Sequence, residues 1–511
     1  MRQVLSERGL SWTIAALFIL NALWILWIPC FPTMDGMMHL QTAHMLFEGA
    51  PAGVYCENPA PVPNVLGHYI IGLLDMVFPA LLAERTMLAL ILLITGLGAW
   101  ALARSLGKVS PLILLVLPIT VNLMLALGFH NFLLGVGTAC LGAAAWFRVK
   151  QLGWPGLAGL LVITLLLYLT HTMALAMILI LLGAYEGGIL LGWKERAGPF
   201  GHARWRNAGA VVLCCIPAVL LALRFSAGQE TILSVVDHGK NLRDLIELRS
   251  LVLYHAIAEE KFTYSLKLLI MACGVLGAFG HWRAHGLRLV ITDIPLVVAV
   301  GLVGIYFFIP DSIGFASFVS VRSQWIALLL FAVWVSLQPV PTIASLPVLV
   351  MIVLAHQARN GHYRSQMEPI AERCDLMLEI SRTLDEGSVV LPVNSDDNWL
   401  LTHISSLLVA ERDIVLLDNY ECATGYFPYI WCPDLPKELV AHLGGKTNCM
   451  DWLPGYISEQ RVPRIDHIVL FGYEEQVDHC RWGTLHTVLD RYYRKAASNR
   501  YATVYDLQRQ G

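Results

Sequence analysis

Apolar residues run for roughly 17 to 25 positions at about eleven places along the chain: roughly 10–30, 84–103, 110–127, 129–147, 155–170, 171–193, 207–225, 264–282, 289–309, 322–337 and 340–356. Runs of this length predict membrane helices, because the hydrocarbon core is about 30 Å thick and every backbone polar group in lipid must be satisfied internally. The first run ends at Pro29 to Pro32 without a small-x-small cleavage pattern, so it is expected to remain as an anchor. A further stretch, "VLGHYIIGLLDMVFPALL" at 65–82, is nearly as apolar but carries His68 and Asp75 and is broken near its end by Pro79.

The basic residues decide how that stretch is treated. Arg2 and Arg8, Arg104 and Lys108, Arg148 and Lys150, "KERAGPFGHARWR" at 194–206 and "RAHGLR" at 283–288 fall on one side only if 65–82 does not cross. Short loops rich in Lys and Arg stay cytoplasmic. The expected topology therefore has the amino terminus inside, one long external loop at 31–83, and a re-entrant or interfacial helix at 65–82.

After Ala355 the pattern changes period. Short apolar runs, "SVVLPV" (388–393), "DIVLLDN" (413–419), "DHIVLFGY" (466–473) and "YATVYDL" (501–507), alternate with the helical patterns "WLLTHISSLLVA" (399–410) and "WGTLHTVLDRYYRKA" (482–496). Strands alternating with helices predict a small α/β domain. The expected fold class is a polytopic α-helical membrane protein of about eleven transmembrane helices, residues 1–356, with a C-terminal extracytoplasmic α/β domain, residues 357–511. Internal repeats, low-complexity tracts and coiled-coil heptads are not evident.

Composition agrees with this reading. Of 511 residues, 56% are hydrophobic and 14% charged, and the mean hydropathy is +0.60, against about 25% charged in soluble domains. A net charge of −3 gives no polyanion-binding signature and excludes nucleic acid as an expected partner. Of the eleven cysteines, Cys140, Cys214, Cys215 and Cys273 lie in predicted spans, where thiols act as small apolar groups. Cys30, Cys56, Cys374, Cys422, Cys432, Cys449 and Cys480 fall outside, where disulfides persist; Cys422 with Cys432 and Cys449 with Cys480 are the pairings considered, although spacing does not fix connectivity. With no CxxC pair in the chain, a zinc site has little support.

Candidate chemistry gathers at the predicted external face. Asp35 and His39 in "PTMDGMMHL" (32–40) are four apart, on one side of a helix, just beyond the first span, and Gly36 allows close approach. Asp35 is the candidate proton acceptor; its alternative role is to cap the helix over "GMMHLQTAHMLFEG". His130 in "GFHN" and His171 in "LTHT" adjoin short external turns and could contact a phosphate or sugar hydroxyl, as could His39 and His44; all four could equally be structural. Arg322 and Arg85 open predicted spans and suit a phosphate, because the guanidinium fork makes bidentate contacts; either could instead be an interfacial anchor. Asp311 is a second external acid, or a cap for the turn after Pro310. Tyr420 and Tyr426, in "DNYECATGYFPYIW" (418–431), suit an aromatic lip for stacking on sugars or, equally, a buried aromatic core.

In architecture the chain resembles the C-type integral-membrane glycosyltransferases (GT-C), which include protein O-mannosyltransferases, oligosaccharyltransferase catalytic subunits and the aminoarabinose transferase of lipid A. The resemblance covers the whole chain as architecture and rests chiefly on "PTMDGMMHL" as sequence. The chain is also similar to bacterial membrane proteins with a "PTxDGxxHL" start and a "NYExxxGYFP" stretch, here "NYECATGYFP" at 419–428. The resemblance implies a sugar carried on a polyprenyl phosphate as donor, a glycan, lipid or protein acceptor, and an active site on the outer side of the cytoplasmic membrane, within reach of membrane lipid. It also implies Asp35 as general base or metal ligand, with His39 the other ligand if Mg or Mn is bound. Many relatives carry paired acids where this chain has Asp35 followed by Gly36. A transporter or flippase of lipid-linked saccharides and a non-catalytic assembly subunit are the alternatives.

Overall fold

The computed structural model describes residues 7–149, 153–193, 202–229, 232–314, 316–410, 412–444, 450–472 and 479–508. The chain forms two compact units, each made of separated stretches of sequence. One comprises 1–27 and 88–364, the other 28–87 and 365–511.

Among the described residues, seven helices are long and apolar enough to cross a membrane: Gly9–Trp27, Ala80–Leu106, Thr172–Leu190, Asn207–Ala227, Ile257–His285, Val319–Leu337 and Ile343–Ser381. They match seven of the eleven expected spans. The other four are helical too, but shorter or less apolar. Trp154–Thr170 has 17 residues, and Ile294–Tyr306 has 13 after a short 3-10 turn. His130–Phe147 is made less apolar by His130 and Asn131 in its first turn; a Cβ at Gly137 would lie 2.9 Å from the backbone of Thr95, so this glycine permits close helix contact.

The run 110–127 departs most from expectation. It is broken into a 3-10 turn, Pro111–Leu115, and two short helices, Val116–Thr120 and Leu123–Ala126. Asn122 re-starts the chain by accepting a hydrogen bond from Leu125 N–H. Carbonyls freed by the break must find partners where water is scarce. Arg359, buried at 3% exposure, donates to Pro118 O at 2.6 Å, Val121 O at 2.8 Å and Leu251 O. Trp325 Nε1 donates to Ile119 O at 2.8 Å. Arg359 Nε also donates to Tyr363 Oη (2.6 Å), whose hydroxyl donates to Glu259 (2.8 Å), itself the acceptor for Leu253, Tyr254 and His255 N–H. Glu259 and Arg359 are thus both buried and paired through Tyr363.

Residues 65–82 do not form one span. Leu66–Asp75 is a 10-residue helix, about 15 Å long at 1.5 Å per residue and half the thickness of a bilayer core. The next helix starts at Ala80, directly after Pro79.

Among the described residues, the second unit holds two sheets. The smaller pairs β1 (Tyr55–Glu57) antiparallel with β4 (Tyr429–Trp431), next to a disulfide between Cys56 and Cys432. This replaces the Cys422–Cys432 pairing: Cys422 is a buried free thiol. The Cys449–Cys480 pairing falls outside the described residues. The larger sheet has five strands, β2 (Val389–Asn394), β3 (Val415–Leu416), β5 (His467–Phe471), β6 (Tyr493–Ser498) and β7 (Ala502–Leu507), in the order β3-β2-β5-β7-β6. The β3, β2 and β5 strands are parallel, and β7 and β6 are antiparallel additions. Leu391, Val393, Ile468 and Leu470 pack with Leu485, Val488 and Leu489 of the helix His479–Tyr492. The four apolar runs predicted as strands are those that form β2, β3, β5 and β7.

Replacing Arg359 by Met should strand three buried carbonyls, each costing about 1 to 3 kcal/mol. The variant is expected to lose several degrees or more of thermal midpoint in detergent, with Arg359→Lys in between because its compact ammonium lacks the spread of the guanidinium, whose separate nitrogens reach the three carbonyls. An Arg359→Met midpoint equal to wild type would show that the broken helix is held by other contacts.

Candidate active site

The loop leaving the first span turns into a helix at Gly36–Glu48, with Asp35 at its N-cap position. Asp35 N-caps by backbone only: its carbonyl accepts from Met38 and His39 N–H, and its side chain makes no capping hydrogen bond. Instead Oδ2 accepts from Tyr420 Oη at 2.9 Å, and Oδ1 lies 3.8 Å from His403 Nε2. His403 and Tyr420 stack with ring centroids 4.8 Å apart. The carboxylate is buried, at 3% exposure.

One turn on, His39 Nδ1 lies 2.7 Å from Glu421 Oε1 and 3.0 Å from His68 Nε2. His68 Nε2 lies 3.5 Å from Glu421 Oε2, and Thr42 Oγ1 donates to the same oxygen at 2.5 Å. The i, i+4 pair Asp35 and His39 therefore meets two consecutive residues, Tyr420 and Glu421. Phe427 closes against both imidazoles, its centroid 6.3 Å from His39 and 5.7 Å from His68. Tyr426 follows in the same turn, half-buried, its N–H donating to Thr424 Oγ1. A further buried acid, Glu84, accepts from Thr33 Oγ1 at 2.8 Å.

Burial penalises a charged Glu421, yet the charges and hydrogen bonds of His39 and His68 outweigh it and hold the carboxyl well below its usual range. Burial lowers His68, against an opposing pull from Glu421. Burial likewise pushes His403 down to about 4.

His39, His68 and Glu421 are also the group suited to a cation. Each offers one ligand atom, all lie within 4.8 Å of one another, and all three residues are buried. Donor atoms about 3 Å apart fit around an ion with metal–ligand distances near 2.0 to 2.2 Å. Two imidazoles and one carboxylate suit Zn, Mn or Fe better than Mg, which prefers oxygen. Of the residues expected to ligate a metal, His39 is in this group and Asp35 is not.

The remaining sequence candidates fall in different places. Arg322 is buried rather than an exposed anchor, at 7% exposure. Its guanidinium sits 4.2 Å from the ring centroid of Phe129 and 5.5 Å from that of Phe132, and its Nη1 lies 2.9 Å from His171 Nε2. His171 Nδ1 accepts from Met173 N–H and caps the helix Thr172–Leu190. A neutral imidazole has one acceptor nitrogen, so His171 can accept from Met173 N–H or from Arg322 Nη1, but not from both at once. Phe318, just before the helix of Arg322, has φ +60°, a left-handed conformation that is costly for a bulky residue. His130 opens the helix His130–Phe147 and is buried. Arg85 donates to backbone carbonyls, Ile28 O at 2.7 Å and Leu81 O at 3.0 Å. Asp311 accepts from Ser320 Oγ and Lys240 Nζ, contacts that tie its loop to the helices Val319–Leu337 and His238–Ile246 rather than cap the Pro310 turn. His44 lies 3.5 Å from Glu48 on an exposed helix edge.

His68, His403 and Glu421 were not singled out as site residues from the sequence. Glu421 sits inside the quoted "NYECATGYFP", and His68 is the polar interruption of 65–82. Both signals were present, but their convergence was not.

No protein-family model matches the sequence, and no curated protein is similar to it at the sequence level. In three dimensions the chain is similar to ArnT from Cupriavidus metallidurans bound to undecaprenyl phosphate, with TM-score 0.56 and 10% identity over 99% of each chain. The chain has the ArnT fold. The apo state of the same ArnT aligns at TM-score 0.44 and 9% identity over 98% of each chain. The architecture expected from the sequence, a multi-pass helical membrane protein with a small C-terminal sheet, is the one observed.

His403 supplies a pH test of this site's packing. Its folded-state pKa of about 4 lies below the unfolded value of about 6.5, so only the unfolded chain binds the proton between these values. Its contribution to stability is complete above pH about 6.5 and declines as the pH falls toward about 4. The thermal midpoint in detergent should fall between pH 7 and pH 5, and His403→Gln should flatten that fall. An unchanged pH slope in the variant would assign it to other groups.

Proposed function

We propose that this protein is a glycosyltransferase that moves a sugar from a polyprenyl-phosphate-linked donor to an envelope acceptor on the outer face of the cytoplasmic membrane. The observation that carries the reading is Asp35: a buried carboxylate at a helix start that forgoes its capping bond and is held instead by Tyr420, beside the His39–Glu421–His68 group. The ArnT-like fold supports the class of reaction, and the neighbour's undecaprenyl phosphate supports the class of donor.

In this reading Asp35 takes the proton of an acceptor hydroxyl through the oxygen that Tyr420 does not hold. The acceptor oxygen bonds to the anomeric carbon, and the bond from that carbon to the phosphate oxygen breaks, releasing the lipid phosphate. Tyr420 orients the carboxylate, and its stacking on His403 fixes the hydroxyl. Burial keeps bulk water from competing with the acceptor hydroxyl for the carboxylate. A divalent cation held by His39, His68 and Glu421 supplies positive charge for a phosphate oxygen when bound. Two donors, Arg322 Nη1 and Met173 N–H, compete for the one acceptor nitrogen of a neutral His171, and a donor phosphate oxygen beside Arg322 would take a charge-assisted hydrogen bond from the guanidinium.

Asp35→Asn preserves size and the ability to accept from Tyr420 but removes the base. General-base catalysis contributes about 10² to 10⁴ in rate, so sugar transfer in proteoliposomes should fall by that factor while the protein still folds and binds lipid phosphate. Transfer at near the wild-type rate would remove Asp35 from the chemistry, whereas no transfer by the wild-type protein would favour the assembly-subunit reading.

Arg322→Gln should weaken binding of polyprenyl phosphate to the purified protein by about 10- to 100-fold, since a hydrogen bond to a charged group contributes about 1.5 to 3 kcal/mol. Arg322→Lys, which keeps the charge without the fork, is expected in between. Unchanged affinity in both variants would return Arg322 to packing between Phe129 and Phe132.

A further inference from the structure

Of the free thiols among the described residues, none of which the proposed chemistry uses, two face each other. Cys30 and Cys374 are buried, at 1% and 0% exposure, with their sulfurs 2.7 Å apart. That is closer than unbonded sulfurs ordinarily pack, and a short movement from the roughly 2.05 Å of a disulfide. Their 344-position separation excludes a local turn as the reason for the approach. Cys30 lies five residues before Asp35, and Cys374 lies on the helix Thr342–Ser381.

The placement matters because the second unit is assembled from two segments distant in sequence, 28–87 and 365–511. The first supplies Asp35, His39 and His68; the second supplies His403, Tyr420 and Glu421. Cys56–Cys432 already joins these segments beside the β1–β4 pair. Cys30 and Cys374 would join them again, on the stretch of chain that delivers Asp35.

We propose that Cys30 and Cys374 are oxidised to a second cystine in the mature protein, so that the two segments carrying the candidate site are linked covalently at two points. This rests on the reading that the second unit faces an oxidising compartment. The step is a thiol–disulfide exchange with a disulfide-bearing oxidant of that compartment. The thiolate of one cysteine attacks the oxidant's disulfide, and the other cysteine then displaces the mixed disulfide. The Cys30–Cys374 bond forms, the oxidant's S–S bond breaks, and the two electrons and two protons of the cysteine thiols end on the oxidant's two thiols. Because both sulfurs are buried in the folded protein, the exchange takes place during folding. Buried thiols that stay reduced would instead serve as small apolar groups.

The test uses the full-length protein, acid-quenched at extraction, alkylated in denaturant without reductant, digested and mapped by mass spectrometry. The expected result is one linked peptide pair containing Cys30 and Cys374 and another containing Cys56 and Cys432, with Cys374→Ser abolishing the first pair and exposing Cys30 to alkylation. Alkylation of Cys30 and Cys374 alone, with Cys56–Cys432 intact, overturns the proposal while leaving the compartment reading standing. Alkylation of all four overturns both. A linked pair joining Cys30 to any other cysteine also overturns the proposal.

Discussion

Glu421 is the group on which the second unit depends. A carboxylate with no exposed surface is costly unless charge and hydrogen bonds surround it, and here two imidazoles and the Thr42 hydroxyl do so. Its partners come from the helices Gly36–Glu48 and Leu66–Asp75, so satisfying this one charge fixes the register of both against the 419–428 stretch. Tyr420, the preceding residue, donates to Asp35. The same packing that ionises Glu421 therefore turns the Asp35 carboxylate away from its own helix end.

The first unit is organised by a different constraint. Backbone carbonyls freed in the broken run 111–126 cannot be left bare in an apolar interior, and Arg359 and Trp325 collect them. Arg359 is itself balanced through Tyr363 by Glu259, whose other lone pairs take three backbone N–H groups. Donors and acceptors match throughout this network, which marks it as structural. Around Arg322 the match is different. Its aromatic neighbours stabilise the cation, and the one acceptor nitrogen of a neutral His171 is contested between Arg322 Nη1 and the Met173 N–H of a helix cap. Arg359 is instead surrounded by backbone carbonyls and the Tyr363 hydroxyl, which separates the two arginines although both are buried.

Hydrophobic periodicity alone was enough to determine much of this protein. Long apolar runs locate membrane helices because lipid leaves the backbone no alternative, and alternation of short runs located β2, β3, β5 and β7. Pro79 and the charge pattern sufficed to deny 65–82 a crossing. Pro118 and Asn122 were visible too, but an apolar run does not reveal that its helix breaks when the compensating donor, Arg359, lies more than two hundred residues on. Asp35 and His39 stood out by type, spacing and position beside a span. What local sequence left open was whether Asp35 caps its helix, because both roles use the same residue at the same place. Only the tertiary structure decided it, by bringing Tyr420 to the carboxylate and Glu421 to His39 from hundreds of residues away, with His68 arriving from the next helix; side-chain contacts at that separation are set by the packing of the whole unit and leave no period in the chain.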